Sequence, residues 1–162
     1  MRRLFLLGAL VALPAFVVAE DDGALTVFAL GPATARDSLG ATCDAELVVA
    51  FTDDGASFTL TETWTPTDRS DPVCAQMAAN SGATSDAAGA PALPCGGWAP
   101  GVRTFVNGAH KIYAVNDCAG ERVEHFVTLR NGPTFLTFSE EFRWASGLQV
   151  FGDAALSQRM SG

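Results

Sequence analysis

The sequence predicts an all-β domain of about eight antiparallel strands in a meander. Apart from Glu62, residues 58–64 alternate apolar and threonine side chains, which is the pattern of a half-buried strand. Asp54-Gly55 and Asn107-Gly108 each stand between two such runs, and both dipeptides favour tight β-hairpins. Sustained helical spacing of apolar residues is absent from the sequence. Short hairpin turns imply antiparallel neighbours, hence a meander.

The strands follow one another along the chain with one long interruption. They are predicted at residues 25–30, 47–52, 58–64, 102–106, 110–115, 121–130, 134–138 and 148–151. Residues 139–145 and 153–160 could each form a turn or two of helix. A meander of this size closes as an up-and-down barrel or folds into a two-sheet sandwich. The barrel is favoured because closure removes exposed strand edges.

Residues 1–19 have the features of a secretory signal peptide. A positive start at Arg2 and Arg3 precedes an apolar stretch, and the small residue Ala19 offers a cleavage site. The stretch is shorter than the roughly 20 apolar residues of a membrane helix. The first cysteine is Cys43, so no lipid anchor is expected. We therefore predict a single β domain, residues 20–162, that is periplasmic or secreted and has no membrane anchor.

The chain is acidic, which limits its partners. Loss of Arg2 and Arg3 with the signal peptide takes the formal net charge from −8 to −10. Such a charge repels nucleic acid and anionic lipid surfaces. Nucleic acid is therefore excluded as a partner, whereas a protein partner or a small apolar ligand remains possible.

A long loop rich in proline, alanine and glycine is predicted at residues 66–100, and four cysteines can restrain the domain. In an exported chain they are expected to form two disulfides. The preferred pairing is Cys74–Cys95 with Cys43–Cys118, which staples the loop to itself. The alternative is Cys43–Cys74 with Cys95–Cys118. Zinc binding by these thiols is not predicted, because no Cys-x-x-Cys pair occurs.

Trp98 is the candidate binding residue of this loop. Gly97 precedes it and leaves the indole free to project, and an exposed tryptophan on a restrained loop is a plausible anchor for a protein partner. The alternative is that Trp98 packs as a lid over one end of the barrel.

Glu62 and His125 are candidate interior residues, because each shares the parity of the apolar side chains on its strand. An inward carboxylate–imidazole pair could bind a ligand or move protons. The same parity also fits a wet barrel rim or a satisfied buried hydrogen bond. The acidic turns and the two histidines match no metal-site pattern, so neither a metal nor a cofactor is predicted.

These observations favour an exported non-enzymatic protein of binding or inhibitor type, which acts through its surface loops on another protein. One alternative is a barrel that holds a small apolar ligand. Another is an enzyme that uses Glu62, His125 or Tyr113. An enzyme is not favoured, since no nucleophile or oxyanion site is recognisable beside them.

Overall fold

The structure is a computed structural model that describes residues 25–86, 101–118 and 120–158. Nine strands and one helix make up this part of the chain. They are β1 (Leu25–Asp37), β2 (Thr42–Asp53), β3 (Phe58–Pro66), α1 (Pro72–Asn80), β4 (Gly82–Ser85), β5 (Val102–Val106), β6 (Ala109–Cys118), β7 (Glu121–Asn131), β8 (Phe135–Trp144) and β9 (Gln149–Gln158).

All nine strands belong to one antiparallel sheet in the order β4-β3-β2-β1-β9-β8-β7-β6-β5. Neighbours in the sheet are neighbours in the chain, with one exception: β1 pairs with β9, from Ala29 opposite Gln158 to Asp37 opposite Val150. This long-range pairing joins two meanders and curls the sheet into a nearly closed barrel. The predicted all-β meander and barrel are confirmed.

The hairpins form where the turn dipeptides predict them. Asn107 and Gly108 both have positive φ angles, 53° and 70°, as the two central residues of a type I′ turn require. Gly55 also has a positive φ of 84°, in the turn between β2 and β3. The preference of these residues for left-handed backbone therefore fixes two of the strand registers.

Two helical interpretations at the C-terminal end are wrong. Residues 139–145 lie largely in β8, which runs to Trp144, and residues 153–158 lie in β9. Alternate residues along β8, such as Phe138 and Phe142, are buried, and the strand pairs on both sides. Ladder hydrogen bonds and inward burial thus override the local helical preference.

The predicted loop 66–100 also contains regular structure. Helix α1 begins after Asp71, whose side chain accepts hydrogen bonds from the backbone N–H groups of Val73 and Cys74. Pro72 stands in the first turn, where its missing N–H costs nothing. Strand β4 then pairs with β3. Residues 87–100, with Cys95, Gly97 and Trp98, lie outside the described residues.

The preferred disulfide pairing is wrong, and the alternative is correct at Cys43–Cys74. Val73 and Met77 of α1 are buried against the barrel, which brings Cys74 to the start of β2. The bridge therefore ties α1 to the barrel wall instead of closing the loop on itself. Cys118 is also disulfide-bonded, with a partner outside the described residues.

Strands β4 and β5 are the two edges of the sheet, and a seam of polar contacts brings them together. The backbone N–H of Gly101 donates to the carbonyl of Ser85 over 2.8 Å. Arg103 donates to the carbonyl of Gly55 over 2.9 Å and lies 3.1 Å from Asp53. One backbone hydrogen bond and the contacts of Arg103 thus join the two sides of the nearly closed barrel, where the described strands form no ladder.

The interior is filled by large side chains that meet small ones across the barrel. Phe51, Phe138 and Phe142 are fully buried, and Trp64 is 2% exposed. Gly152 on β9 gives the Trp64 indole room, since a Cβ atom there would lie 2.7 Å from Cζ2 of that ring. The glycine is therefore required by packing and not by backbone conformation.

We predict that Gly152→Ala lowers the free energy of unfolding by about 1–3 kcal/mol, because the methyl group overlaps the Trp64 ring. Gly31→Ala is the matched control, since its Cβ would meet no atom closer than 3.7 Å. Urea denaturation of both variants measures the difference. Equal stabilities would show that Trp64 does not pack as described.

Candidate functional site

Three ionisable side chains meet inside the barrel: Glu62 of β3, His125 of β7 and Glu140 of β8. Each occupies a buried, inward position of a strand in which buried residues alternate with less buried ones. All three side chains have no solvent exposure. The structure thus brings together Glu62 and His125, as their parity indicates, and adds Glu140. We call these three residues the interior cluster.

The imidazole of His125 lies between the two carboxyl groups. Its Nε2 atom is 3.0 Å from Oε2 of Glu140 and 3.6 Å from Oε1 of Glu62. One nitrogen or oxygen atom from each residue lies within 4.8 Å of the others. Phe142 stacks on the imidazole, with ring centroids 4.4 Å apart and planes 6° apart, and this contact holds the ring orientation.

Several polar atoms of this region are buried without a hydrogen-bond partner in the described part of the chain. They include both carboxyl oxygens of Glu62, Oε1 of Glu140 and Nε1 of Trp64. A buried polar group without a partner costs about 1–3 kcal/mol. Native proteins contain few such groups, so a concentration of them in one place indicates a specific role.

Burial sets the charge state of the interior cluster. It raises the pKa of Glu62 to about 8. It also raises the pKa of Glu140 well above the ordinary value, and the nearby Glu62 adds to this rise. Burial lowers the pKa of His125 to about 3. Each shift favours the uncharged form, so at neutral pH the metal-free interior cluster retains protons and stays close to electrically neutral.

The remaining candidates lie elsewhere. Tyr113 faces outward and donates its hydroxyl to Glu124 over 2.9 Å, so it does not join Glu62 and His125. His110, the other histidine, lies 3.4 Å from Asp53 at the seam. Trp98 and Gly97 are outside the described residues, and their role as a binding anchor stays a prediction.

Glu140 and Trp64 are the residues that sequence reasoning missed. Glu140 has the same parity as Phe138 and Phe142, and this signal is visible in the sequence. Because residues 139–145 were interpreted as a possible helix, the inward parity of Glu140 was not used. Trp64 shares the parity of Phe58 and Leu60 on its strand, but nothing in that strand indicates that its indole lies beside Glu140.

No protein-family model, curated protein or solved structure matches this chain. Within the described ranges, no helix is long and apolar enough to cross a membrane.

We predict that the metal-free protein loses stability as pH rises from 6.5 to 8. Glu62 releases its proton near its ordinary pKa of 4.5 when unfolded, but near 8 when folded. The folded state therefore holds more protons, and the free energy of unfolding falls between these values. The depressed pKa of His125 acts in the opposite direction, but only between about 3 and 6.5.

Urea denaturation at pH 6.5 and pH 8, with a chelator present, measures this loss at roughly 1–2 kcal/mol per buried carboxyl. Glu62→Gln should reduce the loss, because the amide cannot ionise. Glu124→Gln, on the outer face, should leave it unchanged. A wild-type stability that does not vary between the two pH values would contradict the raised pKa values.

Proposed function

We propose that this protein binds a divalent metal ion inside its barrel through Glu62, His125 and Glu140. The observation that carries the proposal is the convergence of one imidazole nitrogen and two carboxyl oxygens within 4.8 Å of one another. The three donors come from three different strands. Both oxygens of Glu62 lack a hydrogen-bond partner of good geometry within the described structure, and a bound ion would satisfy them.

The spacing of the donors supports this proposal. Metal–nitrogen and metal–oxygen bonds of about 2.1 Å place two ligands of a tetrahedral ion about 3.4 Å apart. In the interior cluster the corresponding distances from Nε2 of His125 are 3.0 Å to Glu140 and 3.6 Å to Glu62. Small side-chain adjustments would therefore bring all three donors onto one ion.

The charge of the donors supports a doubly charged ion. Two carboxylates and a neutral imidazole carry a total charge of −2. A divalent ion cancels this charge, and a buried site strongly favours a complex with no net charge. Imidazole binds zinc, copper, iron and nickel well, whereas magnesium and calcium favour oxygen ligands. The mixed donor set therefore favours a transition metal.

The other functions are less well supported by the described structure. A small apolar ligand needs interior space, but the Trp64 indole occupies the interior beside Gly152, where even a Cβ atom would clash. An enzyme needs a substrate at the site, but the side chains of the interior cluster have no solvent exposure. We therefore propose that the ion is held and not used in turnover. The action of surface loops on a protein partner stays a second proposal, which rests on Trp98.

We also propose that the protein works outside the cytoplasm. The signal-like residues 1–19 support this, and so does the Cys43–Cys74 disulfide, because such bonds persist in oxidising compartments.

Titration of the chelator-treated protein with Zn²⁺ and Co²⁺ tests the metal proposal. We expect one ion per chain, a rise in melting temperature, and a visible absorption spectrum for the cobalt form. Glu62→Gln and Glu140→Gln should weaken binding by at least about 100-fold, because each removes a ligand charge. These substitutions keep the size of the side chain and its uncharged state, so the fold should be retained.

Two variants serve as matched controls for this titration. Glu124→Gln removes a carboxylate from the outer face of β7, and His110→Gln removes the histidine at the seam. Both should bind metal as the wild type does. If the wild type binds no ion, or if the cluster variants bind as tightly as the controls, the proposal is wrong.

A further inference from the structure

We infer that Trp64 determines which metals the interior cluster accepts, by donating its indole N–H to one oxygen of Glu140 and leaving the other for the ion. This inference rests on the proposed function. It makes Trp64 a positioning residue, which acts on the ion through Glu140 and does not contact it.

The two groups of the inferred hydrogen bond lie side by side. Trp64 is two residues from Glu62 on the inward face of β3. A Cβ atom on Gly152 would lie 2.7 Å from Cζ2 of the indole and 2.9 Å from Oε1 of Glu140, so both groups crowd one point of β9.

The hydrogen-bonding needs of the two groups are complementary. The indole Nε1 can only donate, and a carboxylate oxygen can accept. Nε1 of Trp64 and Oε1 of Glu140 are both buried, and neither has a hydrogen-bond partner within the described residues. The two groups do not form a hydrogen bond of good geometry in the structure, but both lie against the same point of β9 at Gly152. A small shift would satisfy both atoms at once.

The coordination of the ion depends on which oxygen of Glu140 remains available to bind it. Oε2 of Glu140 is the oxygen that lies 3.0 Å from His125, and it stays available to the metal. With Oε1 held by Trp64, Glu140 binds through one oxygen only. Zinc accepts four single-atom ligands, whereas calcium needs six to eight oxygens and often takes both from one carboxylate. Trp64 therefore favours a four-coordinate transition ion over calcium.

The test compares Trp64→Phe with Trp144→Phe. Trp144 is also a buried tryptophan, and it packs on Phe142, with ring centroids 5.8 Å apart. Affinities for Zn²⁺ and for Ca²⁺ are measured by competition with a chelating dye. We expect Trp64→Phe to weaken Zn²⁺ binding by about 10–100-fold, the usual effect of losing such a support. Ca²⁺ binding should not weaken, so the preference for Zn²⁺ falls by the same factor.

Trp144→Phe should leave both affinities and their ratio close to those of the wild type. If the wild type binds Zn²⁺ but the two variants show the same ratio of affinities, the role of Trp64 is wrong and the metal site stands. If the wild type binds no ion, the metal site and the inference fall together.

A measurement on the metal-free protein covers the case in which Trp64→Phe does not fold. In a ¹⁵N–¹H spectrum, the indole N–H of Trp64 should exchange slowly with solvent and should shift in Glu140→Met, which lacks the acceptor. The indole signal of Trp144 should not move. An unchanged Trp64 signal in Glu140→Met would overturn the inferred hydrogen bond, whatever metal the protein binds.

Discussion

The pairing of β1 with β9 is the constraint on which the rest of the structure depends. Every other ladder joins strands that are adjacent in the chain, but this one joins residues more than 100 positions apart, such as Ala29 and Gln158. It turns one face of the sheet inward. Glu62 and Glu140 stand four strands apart along the sheet, and they approach each other only because the sheet curls. The interior cluster is therefore a product of closure.

Closure also determines how the interior is packed. A barrel of about this size has an interior that side chains fill, so the largest residues need local space. Trp64 reaches Gly152 in this way, and the same glycine leaves space for Oε1 of Glu140. The absence of a side chain at Gly152 thus accommodates both the Trp64 ring and the Glu140 carboxyl group. Tight packing keeps water from the carboxyl groups, and their pKa values rise for that reason.

Local signals were sufficient to predict the fold class and two of the three residues of the interior cluster. Turn residues such as Asn107 and Gly108 and alternation along each strand predicted the meander, and parity placed Glu62 and His125 inside. The disulfide pairing and the remaining geometry of the site depend on contacts between residues far apart in the sequence. The pairing of Cys43 with Cys74 depends on where α1 packs, and the proximity of Trp64 and Glu140 beside Gly152 depends on the β1–β9 ladder. No pattern within a single strand carries that information.

The interior cluster is hard to explain as a source of stability. Apolar residues of similar size often stabilise a core as well as a buried ion pair or better. Within the described residues, the carboxyl oxygens of Glu62 meet no hydrogen-bond partner of good geometry in return for their burial. Phe142 stacks on His125 and holds the imidazole between two carboxyl groups. The fold thus keeps in a defined arrangement three polar groups whose burial lowers its stability. A divalent ion would satisfy these groups and would cancel the charge that the two carboxyl groups acquire when they lose their protons to bind it. This is the physical reason to propose metal binding for the cluster.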